Sequence, residues 1–415
     1  MNAPVQPVAG DDAWTRPLDT FDVSDPKLYQ DDTWHPYFAR LRREDPVHYC
    51  ADSAYGPYWS VSRYKDIIQV EVNHQIFSNE IGGIQIEDQP TDLKRPSFIR
   101  MDPPKHDEQR KVVSPIVAPG NLANMEGLIR SRTQMVLDGL PRNETFDWVE
   151  HVSINLTTMM LATLFDFPFD ERSKLTYWSD VAIANVNAPD SPVRSEQERF
   201  AELSVMAEYM GRLFEERRNQ PPRFDLLSML AHGTATREMP LREFMGNLAL
   251  LIVGGNDTTR NSMTGGLLAM SQNPDQFRKL RENPGLVDGA VSEIIRWVTP
   301  VIHMRRTASQ DTELHGRRIR AGDKIVLWYV SGNRDEDSIE NPDSFIIDRA
   351  RPRQHMSFGF GIHRCVGNRL AELQLKILWE EILARFPSIE VMGEAKRTYS
   401  NFIHGFRSMP VRIPG

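Results

Sequence analysis

Residues 358–367 read FGFGIHRCVG and come just before a stretch with helical spacing, Asn368–Trp379. Gly359, Gly361 and Gly367 let the backbone here approach another group closely. Cys365 stands at the mouth of the helix, where the N-terminal dipole favours a thiolate. A tight loop presenting a fixed thiolate suits a ligand; the plainer alternative is a buried structural cysteine after a turn. Cys50 is the other cysteine, and a core thiol is its default reading. Two cysteines cannot make a four-cysteine zinc site or hold an iron–sulfur cluster by themselves. Any sulfur chemistry therefore falls to one lone thiolate.

The 415 residues around this loop are 40% hydrophobic and 26% charged, a globular balance, and the net charge of -8 argues against a nucleic-acid binder. The most apolar run, Leu248–Val253, falls well short of the roughly 20 residues of a spanning helix. No apolar signal-peptide core precedes the chain, which points to the cytoplasm and free thiols. Residues 1–25 are rich in Pro, Asp and Ala without a period and read as a flexible arm; residues 26–415 read as one continuous domain. Short strands are expected at Val47–Cys50, Tyr58–Val61, Arg318–Ile319 and Lys324–Val330. Helical spacing covers Gly127–Leu137, Val152–Leu164, Glu196–Gln220 and Leu241–Ser271, so the fold class is mostly α with a minor β portion.

Leu241–Ser271 is bounded by Pro240 and by Asn273–Pro274 and would span about 45 Å as a helix. Its first half is apolar nearly all round, the mark of a helix crossing the core. At its centre stand Gly254, Gly255, Asn256, Asp257, Thr258 and Thr259. Two interior glycines cost a helix about 2 kcal/mol, and Thr and Asp compete for its backbone hydrogen bonds. Such a break marks a functional site or a close helix crossing, and the helix alone leaves both open.

The pattern Phe-x-x-Gly-x-x-x-Cys-x-Gly resembles the haem-binding loop of the cytochrome P-450 family. Three more segments match that family in the expected order. Glu293-Ile-Ile-Arg296 resembles its buried structural pair, with Arg349 as third member, which implies a role in folding and haem retention. Residues 254–259 resemble the oxygen-activation segment of a central helix distorted beside the iron. Splitting the O–O bond takes two protons; Asp257 would then feed them inward from solvent-linked partners, and Thr258 would steady the oxygen group at the iron and its water. Asp102–Arg110 resembles the opening of a helix over one haem edge; His106, Arg110, Arg306 and His363 would pair with the haem propionates. Phe358 and Gly367 complete the implied cofactor-binding set.

This resemblance implies a triangular-prism fold, mostly α, with a long central helix over haem b. Cys365 would be the metal ligand, a thiolate that pushes electron density toward iron. O2 would be co-substrate. No fused flavin or ferredoxin domain is recognisable, so electrons from NAD(P)H would come through a separate ferredoxin and ferredoxin reductase, with docking near Arg364 and Arg369. A haem sensor would not need the Asp257–Thr258 pair, and peroxide-using relatives typically replace it.

Residues 251–266 look particularly like cytochrome P-450 family 153, soluble bacterial terminal hydroxylases of medium-chain alkanes and fatty acids. Residues 300–308 and 400–410 are similar to that group too. Alignment to the family places Leu250, Val253, Gly254, Ile302, Met304, Phe402 and Ile403 in the substrate pocket, with Ile81–Ile86 helping to roof it. An apolar pocket binds an apolar chain by burial, at roughly 0.8 kcal/mol per CH2. Terminal attack also needs a pocket narrow above the iron. The alternative is a hydroxylase of a bulkier apolar molecule, such as a terpene or steroid.

Overall fold

The structure, a computed structural model, describes residues 11–415. The helices that frame the site are α1 (Tyr64–Val72), α2 (Lys105–Val113), α3 (Pro119–Asp138), α4 (Asn155–Phe165), α5 (Ser173–Ile183), α6 (Glu196–Arg218), α7 (Leu241–Gln272), α8 (Val287–Val298) and α9 (Asn368–Arg385). Their ends follow from local chemistry. The Ser195 side chain accepts from the Glu198 N–H at 3.1 Å and opens α6; Pro240 precedes α7, and the Asn273 N–H closes it on Ala269 O. A π-helical turn, Val149–Ile154, leads into α4, so the periodic stretch expected over 152–164 joins two helical forms.

Helix α7 crosses the interior. Its N-terminal half places Phe244, Met245, Leu248 and Ile252 in one apolar cluster with residues of α4, α5 and α6. Its C-terminal half places Met263, Leu267 and Met270 in another with α8, α9 and Trp148. One side of the molecule carries a five-stranded sheet of β1 (Val47–Cys50), β2 (Tyr58–Val61), β3 (Phe77–Ser78), β4 (His303–Ala308) and β5 (Lys324–Trp328), in the order β1-β2-β5-β4-β3. Only the β2–β5 pairing is parallel. β5 is buried at every position, as a central strand covered on both faces must be. It stops at Trp328, two residues short of expectation, because Tyr329 and Val330 enter a helical turn, Tyr329–Gly332. Arg318–Ile319 lies in a separate hairpin strand, Arg317–Ile319.

Residues 11–25 are the described part of the expected arm. They carry two short 3-10 turns, and Phe21 and Val23, each 2% exposed, pack with Trp34, Phe38 and Trp328. Two anchoring side chains outweigh the loose Pro/Asp composition around them. The first ten residues of that arm lie outside the described residues. Cys50 belongs to the same cluster, and burial pushes its thiol up to about 11, as for a core thiol. Among the described residues no helix is long and apolar enough to cross a membrane.

His303, fully buried on β4, ties this region together in its neutral form. Its Nδ1 bonds Asn401 O at 2.7 Å, while its Nε2 accepts the Ile86 N–H at 3.0 Å. Burial lowers it to about 4 from its ordinary value of 6.5. A depressed histidine contributes stability above its unfolded value and loses it as pH falls toward the folded one. Stability is expected to drop between about pH 6.5 and 4, with His303 accounting for about 3 kcal/mol. Urea titrations across that range should show a flatter pH slope in His303→Gln; an unchanged slope removes His303 from the account.

Candidate active site

A cavity of about 300 Å³ lies between α7 and the 358–367 loop, with walls from the 84–100 segment, α2, α6, β4 and residues 402–403. The loop closes on itself through the Cys365 N–H, which donates to Phe358 O at 2.8 Å. Gly361, at φ +66°, takes a conformation that side-chain-bearing residues rarely adopt, and a Cβ there would lie 2.4 Å from Glu71 O. Cys365 lines the cavity and keeps accessible surface. Burial pushes its thiol up; the Gly367 and Asn368 N–H groups and the Arg110 and Arg364 cations favour the thiolate. Phe358 and Gly367 line the same cavity.

On the facing wall α7 is hydrogen-bonded as an α-helix throughout, so the expected distortion is not a break. The two central glycines serve different ends. A Cβ on Gly254 would meet only open space, whereas one on Gly255 would lie 2.7 Å from Leu161 Cδ2 on α4. The functional gap and the close crossing, both left open by the sequence, sit side by side. Thr258 lines the cavity and donates to Gly254 O at 3.2 Å. Asp257 points away and is fully buried. It accepts from Ser179 Oγ on α5 and pairs with Arg260, which also reaches Asp180 at 3.0 Å. Asp180 is 44% exposed. A polar path thus runs from solvent to the residue next to Thr258. Burial raises the Asp257 carboxyl, against the pull of Arg260, toward the range where it can exchange protons near neutrality.

A cationic edge flanks the thiol. Arg110, Arg306 and His363 line the cavity. His106 is set back behind His363, with ring centroids 4.3 Å apart. Both His363 ring nitrogens and His106 Nε2 are buried without hydrogen-bond partners among the described residues. Burial and the surrounding cations hold His363 well below its ordinary value. Arg306 bonds Glu71 at 3.2 Å, and Glu71 also accepts from Tyr329 Oη and, at 2.6 Å, from the Phe360 N–H. A thiol facing a cavity whose edge holds guanidinium groups and unpartnered imidazoles fits haem, an iron macrocycle with two anionic propionates. Cys365 would hold its iron, and Arg110, Arg306 and His363 its carboxylates. Bound there, haem would supply O2 binding and electron transfer.

Leu250, Val253, Gly254, Met304, Phe402 and Ile403 line the cavity. Ile302 does not: it is fully buried in the cluster of Phe21, Trp34 and Trp328. Ile302 precedes β4, and the chain there turns Val301 and Met304 to the cavity instead of alternating strictly. Of Ile81–Ile86, Ile84 and Gln85 reach the cavity; Ile81 is 53% exposed and Ile86 packs elsewhere.

A family profile described as Cytochrome P450 matches residues 26–406. The chain belongs to the cytochrome P-450 family. Linalool 8-monooxygenase of Pseudomonas putida is 39% identical over 404 residues, covering 94% of this chain and 98% of that protein. Methyl-branched lipid omega-hydroxylase of Mycobacterium tuberculosis is 33% identical, covering 92% and 91%. The solved structure of cytochrome P450-153 from Novosphingobium aromaticivorans superposes with a TM-score of 0.88 at 48% identity, covering 94% of this chain and 99% of that one.

Away from the cavity, this P-450 carries a buried ion network. Arg296 is forked onto Glu293 at 2.7 and 2.8 Å, and Arg349 reaches Glu293 at 2.8 Å. Arg296 also donates to Asn333 O and Pro342 O, and both arginines donate to Ser344 O. The network thus staples α8 to the segment that leads into the cysteine loop. Several residues of the P-450 site escaped the sequence reading. Arg260 had a signal, its i+3 spacing from Asp257. Glu71, Ser179 and Asp180 had none, since their partners are brought to them from distant segments.

Proposed function

We propose that this P-450 monooxygenase places one oxygen atom of O2 on the terminal carbon of an apolar chain, a medium-chain alkane or fatty acid. The other atom leaves as water, with two electrons and two protons consumed. The carrying observation is the reach of the cavity lining along α7. Lining residues run from Gly246 through Leu250, Val253 and Gly254 to Ser262, about 24 Å of helix, with Thr258 near one end. Such a trough suits a chain better than a compact ring system. Likeness to a methyl-branched lipid omega-hydroxylase and to cytochrome P450-153 supports the same reading. Likeness to linalool 8-monooxygenase supports, as a second reading, a branched terpene.

Electrons would come from NAD(P)H through a separate ferredoxin and ferredoxin reductase. Arg364 and Arg369, both exposed beside the Cys365 loop, are the proposed docking cations. Asp257 would pass protons from the Asp180–Arg260 path, and Thr258 would hold them at the cavity. Thr258→Ala is then expected to uncouple the enzyme, with more peroxide and less product per NADH. An unchanged product-to-NADH ratio would refute the role of Thr258.

The deciding experiment is product analysis of n-octane turnover by the haem-loaded protein with a surrogate ferredoxin and reductase. Mainly 1-octanol supports terminal attack; mainly internal alcohols overturn it. Faster turnover of linalool than of octane would move the choice to the second reading.

A further inference from the structure

The far end of the cavity is not apolar. Arg95 and Arg100 both line it, together with Gln85 and Gln89. Arg95 is only 7% exposed, and its Nη1 has no hydrogen-bond partner among the described residues. Its nearest carboxylate, Glu196 on α6, stands 3.7 Å away and is shared with Arg199. Arg100 has no carboxylate partner among the described residues; its guanidinium donates to Gln85 Oε1 at 2.8 Å and packs against Gly83. Burial and the neighbouring Arg95 and Arg305 pull it down to about 10. Arg305 and Lys324 share Asp88, and Glu87 and Glu196 lie beside Arg95 and Arg199, so with Arg100 five cations meet three carboxylates next to a largely apolar space. Buried charge without a full partner is costly, and its persistence beside a cavity calls for an anion.

The position of Arg95 is set by α7, and Arg100 lies near it, seated against Gly83 and Gln85. The backbone at Arg95–Pro96 rests directly on Gly246, where a Cβ would lie 1.9 Å from Pro96 O. Gly246 precedes Thr258 by twelve residues, about 18 Å along the helix. Ala249, Leu250 and Val253 line the cavity in between. These two arginines are also held differently from the cations beside the thiol. Arg110 and Arg306 are anchored to the cysteine-loop region, through Arg364 O and through Glu71. Arg95 and Arg100 are anchored to the 83–96 segment and to α6.

We infer that Arg95 and Arg100 form an anion subsite for the carboxylate of the substrate, which makes the preferred substrate a medium-chain acid held with its methyl end beside Thr258. This rests on the terminal-hydroxylation reading above. Guanidinium groups suit a carboxylate, and a charge-assisted bond in a water-poor cavity is stronger than one at the surface.

The test compares dodecanoate with methyl dodecanoate, a neutral ester of the same chain, by calorimetric and haem-spectral titration of the haem-loaded protein. The native protein is expected to bind the acid at least about tenfold more tightly than the ester. In Arg100→Gln, and separately in Arg95→Gln, that ratio should fall toward one, with haem content per protein matching the native enzyme. Equal affinity for acid and ester in the native protein overturns the inference. So does an unchanged ratio in both variants, or a loss of haem from both, which would make the arginines propionate ligands. Product position separates this result from the reading beneath it: tight, arginine-dependent acid binding with mid-chain hydroxylation keeps the subsite and discards terminal attack.

Discussion

Cys365→Ser is expected to lose the carbon monoxide difference band of a thiolate-ligated haem and to reduce hydroxylation to background. A serine hydroxyl keeps the place of the sulfur but not its charge. The groups that favour a thiolate here, the Gly367 and Asn368 N–H donors and the Arg110 and Arg364 cations, lie far from enough to ionise an alcohol. An alcohol ligand also lacks the electron push that favours O–O cleavage. The fold should survive. The loop is closed by a backbone bond, Cys365 N–H to Phe358 O, which the substitution leaves in place. Thermal unfolding of the variant should therefore stay close to that of the native protein while the spectrum changes. A variant retaining both the band and activity would overturn the ligand assignment.

The second large effect concerns stability. Glu293→Gln is expected to destabilise the fold by about 3–5 kcal/mol, because it leaves buried guanidinium charge uncompensated. Glu293 and Arg296 are each 1% exposed, and Arg349 shares the same carboxylate. The remaining donors of Arg296 end on backbone carbonyls, which satisfy hydrogen bonds but carry no full charge. Arg349→Met should cost less, since Glu293 then keeps Arg296. Denaturant unfolding of the two variants measures the order, and haem release should rank them the same way, because the network holds the segment that leads to Cys365. A loss under about 1 kcal/mol for Glu293→Gln would show that the network is dispensable.

Local chemistry was legible in the chain itself. Periods, caps and short spacings act within one or two turns, so the limits of α7, the strands Val47–Cys50 and Tyr58–Val61, and the i,i+3 pair Glu293–Arg296 are written in neighbouring residues. The loop around Cys365 is equally local: glycines and a helix start placed within ten residues present one thiol. The tertiary structure decided what depends on distant segments meeting. Arg306 finds Glu71 across 235 positions, and Asp257 finds Ser179 across 78. Packing, not alternation, turned Ile302 inward and Val301 to the cavity. Phe21 and Val23 fastened a stretch whose composition reads as loose. Arg95 and Arg100, which nothing in the sequence singled out, became cavity residues, Arg95 because its backbone and that of Pro96 are seated on Gly246. Spacing along a chain encodes which side chains share a face; which faces then meet is settled only when the whole core packs.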